Sequence, residues 1–102
     1  MANRRRGEIE AVVGGRRRRL KLTLGALAEL EDALGEGDLG RLFARLAGGK
    51  LSARDLVAVI GAGLRGAGET TTDAEVAGWV PDGGVGALAA IVADLVATSL
   101  GR

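Results

Sequence analysis

The sequence predicts an α+β fold in which an N-terminal β-hairpin packs on a bundle of four or five short helices. Apolar and charged residues alternate on both sides of Gly14-Gly15, as expected for a hairpin with a two-residue turn. Downstream, helix-capping residues repeatedly precede leucines and valines spaced three or four positions apart. A chain of 102 residues without a long linker predicts one domain, residues 1–102, with the hairpin in residues 7–23 and the helical body in residues 24–100.

The hairpin register follows from the position of its turn. If the chain folds at Gly14-Gly15, Glu10 lies opposite Arg19 and Glu8 lies opposite Lys21. We therefore expect these carboxylates to neutralise these cations. One face then carries the apolar residues Ile9, Ala11, Val13, Leu20 and Leu22, and the other carries Glu8, Glu10, Arg17, Arg19 and Lys21. A slip of one residue would bury the charges, so the register is well specified.

Capping residues mark the start of four helices. Thr23 and Asp38 are N-cap residues, and Ser52 and Thr72 begin capping boxes. Gly35 and Gly37 end the first helix. The apolar stripes are predicted to be Leu24, Leu27, Leu30 and Leu34; Leu39, Leu42, Phe43 and Leu46; Leu56, Val57, Val59, Ile60 and Leu64; and Val76 with Trp79. A fifth helix over Val85–Leu100 has Asp94 as its only charged residue.

The composition argues against an enzyme. The chain has no cysteine and no histidine, which removes thiolate metal ligands and the commonest general base, and the carboxylates form no catalytic pair. We expect neither catalysis nor a cofactor. No apolar run reaches the roughly 20 residues that span a bilayer, and no apolar segment follows Arg4–Arg6 as it would in a signal peptide. The expected location is the bacterial cytoplasm, without membrane contact.

The stretch from Gly61 to Gly66 fits the dinucleotide-binding pattern G-x-G-x-x-G. That fingerprint needs a helix that opens at its third glycine, whereas the capping box at Ser52 starts a helix upstream. We therefore interpret the pattern as the glycine-rich end of a helix. On this interpretation Gly63→Ala should be tolerated or slightly stabilising, because glycine costs roughly 1 kcal/mol relative to alanine inside a helix.

Charge is unevenly distributed along the chain. Residues 1–21 contain seven arginines and one lysine against two glutamates, a net charge of +6, whereas residues 22–102 have a net charge of −5. The candidate binding residues of the basic segment are Arg16, Arg17, Arg18 and Arg19. They could contact a phosphate backbone, but no aromatic residue lies among them to stack on bases. A solvated sheet face or an acidic protein partner is the better interpretation, and nucleic acid is not the partner we expect.

The last helix supplies the second group of candidate partner-binding residues, Leu88, Ile91, Val92 and Leu95. Its apolar side chains cover more than one stripe, and small residues fill the positions between them. We expect part of the helix to pack on Leu27 and Leu30. The remainder should meet a second copy of the chain or a partner helix.

Two stretches carry a family resemblance. Leu22–Glu31, which reads LTLGALAELE, and Leu51–Gly68, which reads LSARDLVAVIGAGLRGAG, resemble the small tail-assembly proteins of gene transfer agents and tailed phages. The likeness covers roughly residues 3–80 and its motifs are structural, with no active site to compare.

The resemblance implies a tail-assembly chaperone that binds the tape-measure protein and the tail tube protein during tail morphogenesis. A homo-oligomer is a further assembly that we consider. The alternative is a structural component of the tail tube. A basic nucleic-acid-binding module is a third and weaker alternative.

Overall fold

The computed structural model describes residues 2–101, which form a two-stranded antiparallel hairpin followed by five helices. This confirms the predicted α+β class. A short 3-10 turn at Arg4–Arg6 precedes the strands. The strands are β1 (Glu8–Val13) and β2 (Arg16–Lys21), and the helices are α1 (Leu24–Leu34), α2 (Leu39–Ala47), α3 (Ala53–Gly66), α4 (Asp73–Ala77) and α5 (Val85–Ser99).

The hairpin has the predicted register. Glu8 lies opposite Lys21 and Glu10 lies opposite Arg19. Gly14 and Gly15 both have positive φ, 62° and 81°, which a two-residue type I′ turn requires and which side chains disfavour. The apolar face is buried as predicted, with Ala11 only half-buried; its fully or nearly buried members are Ile9, Val13, Leu20 and Leu22.

The helices begin where the capping residues predicted. The Thr23 hydroxyl accepts from the Ala26 amide at 3.1 Å, and the Asp38 carboxylate accepts from Arg41 at 2.8 Å. Both predicted capping boxes, at Ser52 and Thr72, are formed. Helix α4 is shorter than predicted, since it ends at Ala77 rather than at Trp79.

Helix α3 lies at the centre of the fold. It packs against β2, α1, α4 and α5, and nearly all of its residues from Asp55 to Leu64 are buried. Helix α5 packs mainly on β1, α3 and α2. The prediction that α5 packs on Leu27 and Leu30 is therefore wrong. The leucines of α1 pack against α3 and α2 instead.

The glycines of α3 permit this close packing. A Cβ at Gly63 would lie 2.9 Å from Leu95 Cδ2 and 3.2 Å from Leu20 Cβ, and one at Gly66 would collide with the Lys21 carbonyl oxygen. These contacts oppose the expectation that Gly63→Ala is tolerated, and we now expect the substitution to be destabilising, because the position faces packed side chains rather than open space. The pattern lies at the end of α3, with no helix opening at its third glycine, so it lacks the geometry of a dinucleotide site.

Leu24 departs from its predicted stripe. It is the first residue of α1 and lies at the edge of the apolar stripe, and its side chain is 80% exposed. Leu39, at the start of α2, is also exposed. In both helices the first turn extends beyond the neighbouring elements that bury the later leucines. Within residues 2–101, no helix is long and apolar enough to cross a membrane.

Candidate interaction site

An apolar groove of about 240 Å³ opens between the hairpin tip, the start of α3, the 78–84 loop and the start of α5. Three valines at this groove are unusually open to solvent: Val80 is 84% exposed, Val85 63% and Val12 45%. Half-buried apolar side chains form the deeper lining: Leu51, Val57, Trp79 and Leu88. We refer to this feature as the valine groove. Three of the six exposed large apolar side chains in residues 2–101 therefore line this one groove.

Trp79 is held in the valine groove by the hairpin tip. A Cβ on Gly14 would lie 2.7 Å from two carbons of the indole ring, so only glycine lets the turn approach this closely. The Arg18 guanidinium stacks 4.6 Å from the ring centroid, within the range of a cation–π contact. Arg18 is itself fixed, because it pairs with Glu69 at 2.6 Å and donates to the Val13 carbonyl at 2.9 Å.

The loop before α5 positions the two most exposed valines. The Asp82 carboxylate accepts a hydrogen bond from the Gly15 amide at 3.1 Å, which ties the loop to the hairpin turn. A turn closed by the Gly84 amide and the Pro81 carbonyl, 3.1 Å apart, leads into α5. Val80 and Val85 therefore stand on either side of a turn that is anchored to the hairpin.

The structure separates the four candidate residues of the last helix. Val92 and Leu95 are fully buried in the core, whereas Leu88 and Ile91 are half-buried against it. Leu88 also lines the valine groove. These four residues therefore do not form one open face. The exposed positions of α5 are Val85 and Gly86 in its first turn and the small residues Ala89, Ala90 and Ala93.

The four candidate arginines also differ in their exposure to solvent. Arg16, Arg17 and Arg19 are exposed, whereas Arg18 has only 11% of its side chain exposed and is committed to Glu69 and Trp79. Successive side chains of a strand point to opposite faces of the sheet, so Arg18 points to the same side as Leu20. Arg18 is thus a structural residue and adds nothing to an open basic surface.

The predicted neutralisation across the hairpin is wrong in detail. Glu10 pairs with Arg17 at 2.9 Å rather than with Arg19, and Glu8 accepts a hydrogen bond from the Asn3 amide at 3.0 Å. The hydrogen bond from Arg17 holds the pKa of Glu10 below its ordinary value of 4.5 and outweighs the opposing desolvation. Diagonal pairing is possible because an arginine side chain reaches well beyond its directly opposite partner.

The groove favours binding of apolar side chains. Its volume is below the roughly 300–1,000 Å³ of most small-molecule sites, and its lining is almost entirely apolar. Burial of a leucine-sized side chain from a partner would contribute about 1.5–3 kcal/mol. Among residues 2–101, no cluster of three or more acidic side chains has the spacing of a metal site.

Sequence reasoning did not identify Val12, Val80 or Val85 as candidate binding residues. Val12 lies on the charged side of the hairpin. Val80 lies in a loop, where the regular spacing of apolar residues that identifies a face of a helix or strand is absent. Val80 directly precedes Pro81 and lies close to Gly83 and Gly84. An apolar residue next to such turn-forming residues was the one sequence feature that could have indicated an exposed binding residue.

A family model described as "Phage tail tube protein, GTA-gp10" matches residues 6–102. No curated protein and no solved structure matched the chain. The family match covers the hairpin, all five helices and the whole valine groove, and it extends beyond the stretches that carried the resemblance. The chain therefore belongs to the GTA-gp10 family of phage tail tube proteins.

Proposed function

We propose that this chain is a non-enzymatic structural component of a phage-like tail, joined to neighbouring tail proteins through the valine groove. The observation that carries the proposal is the presence of three solvent-exposed valines at one apolar groove, in a member of a tail tube family. An exposed apolar cluster on a small protein usually marks a contact with another protein. The bacterial cytoplasm, where tails would be assembled, is the location we propose.

The fixed framework of the groove supports a lasting contact. The glycine turn, the Arg18–Trp79 stack and the Asp82 hydrogen bond hold the groove in shape before any partner arrives. A preformed site loses less conformational entropy on binding than one that must be ordered first. Because the family of this chain is described as a tail tube protein, other components of the tail tube are the partners that we propose.

The second candidate function is a chaperone that holds the tape-measure protein before the tube forms. One observation favours it: the lining of the groove suits the apolar stripe of an amphipathic helix, as in helix-in-groove recognition. The structural role remains the preferred proposal, because the family description names the tail tube.

Protein composition before and after assembly distinguishes the two roles. The chain would be expressed with its neighbouring tail genes, and finished tails and assembly intermediates would be purified and quantified by mass spectrometry. We expect the chain to remain in finished tails at a constant ratio to the tube protein. Cells lacking the tube gene provide the background control. A chain that accompanies the tape-measure protein in intermediates but is absent from finished tails would support the chaperone instead.

A further inference from the structure

We propose that copies of this chain associate head to tail, with the outer face of the hairpin of one copy against the outer face of α1 in the next. The inference rests on the proposed structural role, since it names a second copy as one partner within the tail. It involves the charged outer faces of the hairpin and of α1, and Val12 is the one residue that the hairpin face shares with the valine groove.

The two faces lie on opposite sides of the molecule. Strand β2 packs on α3, and α3 packs on α1, so α3 separates the sheet from α1. The sheet turns Ile9 and Leu20 inward, and α1 turns Leu27 and Leu30 inward. The charged face of the hairpin and the polar face of α1 therefore point away from each other.

The hairpin face has an excess of positive charge. Arg17, Arg19 and Lys21 lie on it, and Arg17 is paired with Glu10. Arg19 and Lys21 form no ion pair with any of residues 2–101. These cations are available to an external acidic surface.

The α1 face has the opposite sign. Helix α1 carries Glu29, Glu31 and Asp32 and no basic residue, and Glu29 is paired with Arg65 at 2.8 Å. Glu31 and Asp32 take part in no ion pair within the described chain, and helical spacing places them on the same side as Leu24 and Ala28. Helix α1 thus presents unpaired carboxylates to solvent.

Each charged face also carries a large exposed apolar residue. Val12 lies opposite Arg17 on the hairpin face, and Leu24 begins the outward side of α1. Leu24 is among the most exposed apolar side chains in the described chain, because no element of the same copy covers the first turn of α1. A contact between these faces would bury both residues and pair the cations with the carboxylates.

Charge also sets the symmetry of the contact. Two hairpin faces would repel each other, and so would two α1 faces, whereas one of each would attract. The favoured contact is therefore heterologous, and repetition of it produces either a closed ring or an extended stack. Both forms suit a component of a tube.

A charge-swap experiment tests this contact. One variant carries Arg19→Glu with Lys21→Glu, both on the outer face of the hairpin, and the other carries Glu31→Lys with Asp32→Lys. All four side chains are exposed or half-buried, so circular dichroism should report folded proteins. Sedimentation would compare the parent, each variant and their equimolar mixture in about 0.05 M and about 0.5 M salt, because screening weakens such contacts.

We expect the parent protein to self-associate at low salt. Each variant alone should self-associate on the order of tenfold more weakly, because both of its faces then carry charge of the same sign. The mixture should regain association, because the faces of one variant complement those of the other. Variants that associate like the parent, or a mixture that shows no recovery, would overturn the inference. So would a parent that stays monomeric at low salt, whether or not its basic face binds duplex DNA. Retention of the chain in finished tails is a separate result, so the contact and the structural role can fail independently.

Discussion

Substitution of Gly66 by alanine is expected to destabilise the protein at the upper end of the roughly 1–3 kcal/mol typical of overpacking. The added Cβ would collide with the carbonyl oxygen of Lys21, which is backbone and cannot rotate away. Gly66 is the last residue of α3, so the gain in helix propensity is small. Denaturant unfolding followed by circular dichroism would measure the loss as a lower midpoint at an unchanged slope.

Two other glycines serve as graded controls in the same measurement. Gly63→Ala should also be destabilising, by less, because side-chain atoms of Leu95 and Leu20 can shift. Gly86→Ala in α5 should stabilise by up to about 1 kcal/mol, since its Cβ would meet nothing within 4 Å. An equal effect at all three positions would contradict the close packing of α3 on β2 and α5.

Leu95→Asp is expected to unfold the protein. Leu95 is completely buried, and loss of such a side chain alone costs about 2–5 kcal/mol, to which burial of a carboxylate adds. The total is comparable with the roughly 5–15 kcal/mol that stabilises a typical domain. Circular dichroism should show loss of helix at room temperature.

Val85→Asp is the matched variant on the same helix. Val85 is exposed and is the first residue of α5, where a negative charge interacts favourably with the helix dipole. The fold should therefore be retained, while association with tail proteins in a copurification assay is lost. A folded Leu95→Asp variant, or normal association of Val85→Asp, would show that the core and the binding surface have been assigned incorrectly.

The elements of the fold were predictable because their signals are local. The register needs only the position of Gly14-Gly15 and an alternating pattern, and the helix starts need only a capping residue such as Thr23. Leu24 shows where this reasoning stops. Its spacing suits a buried stripe, but its burial depends on whether a neighbour covers the first turn of α1.

The candidate site was less predictable because it is formed by distant segments. Trp79 joins Gly14 across more than sixty residues, and Asp82 reaches Gly15. The apolar composition of α5 suggested a binding face, but the core takes Val92 and Leu95, and Val85 is the only large apolar side chain of the helix that is exposed. Sequence periodicity identifies an apolar side chain without indicating which neighbour will cover it.

The same limit applies to the glycine-rich stretch of α3. Its spacing fits a nucleotide-binding pattern, whereas its function in the fold is to let β2 and α5 approach the helix. Close approach is a property of the tertiary structure, so the sequence around Gly63 gives no sign of it. The general preference for alanine over glycine in helices is outweighed there by contact distances of about 3 Å.

The central claim, that the valine groove is a contact surface in the finished tail, can be tested by site-specific cross-linking. The chain has no cysteine, so Val85→Cys would place a single thiol at the groove for a short photo-cross-linker. Ala44→Cys, on an exposed position of α2 outside the groove, is the control. We expect the thiol at position 85 to cross-link to a tail protein in finished tails and the thiol at position 44 to do so much less. Efficient cross-linking from position 44 with none from position 85 would contradict the assignment of the groove.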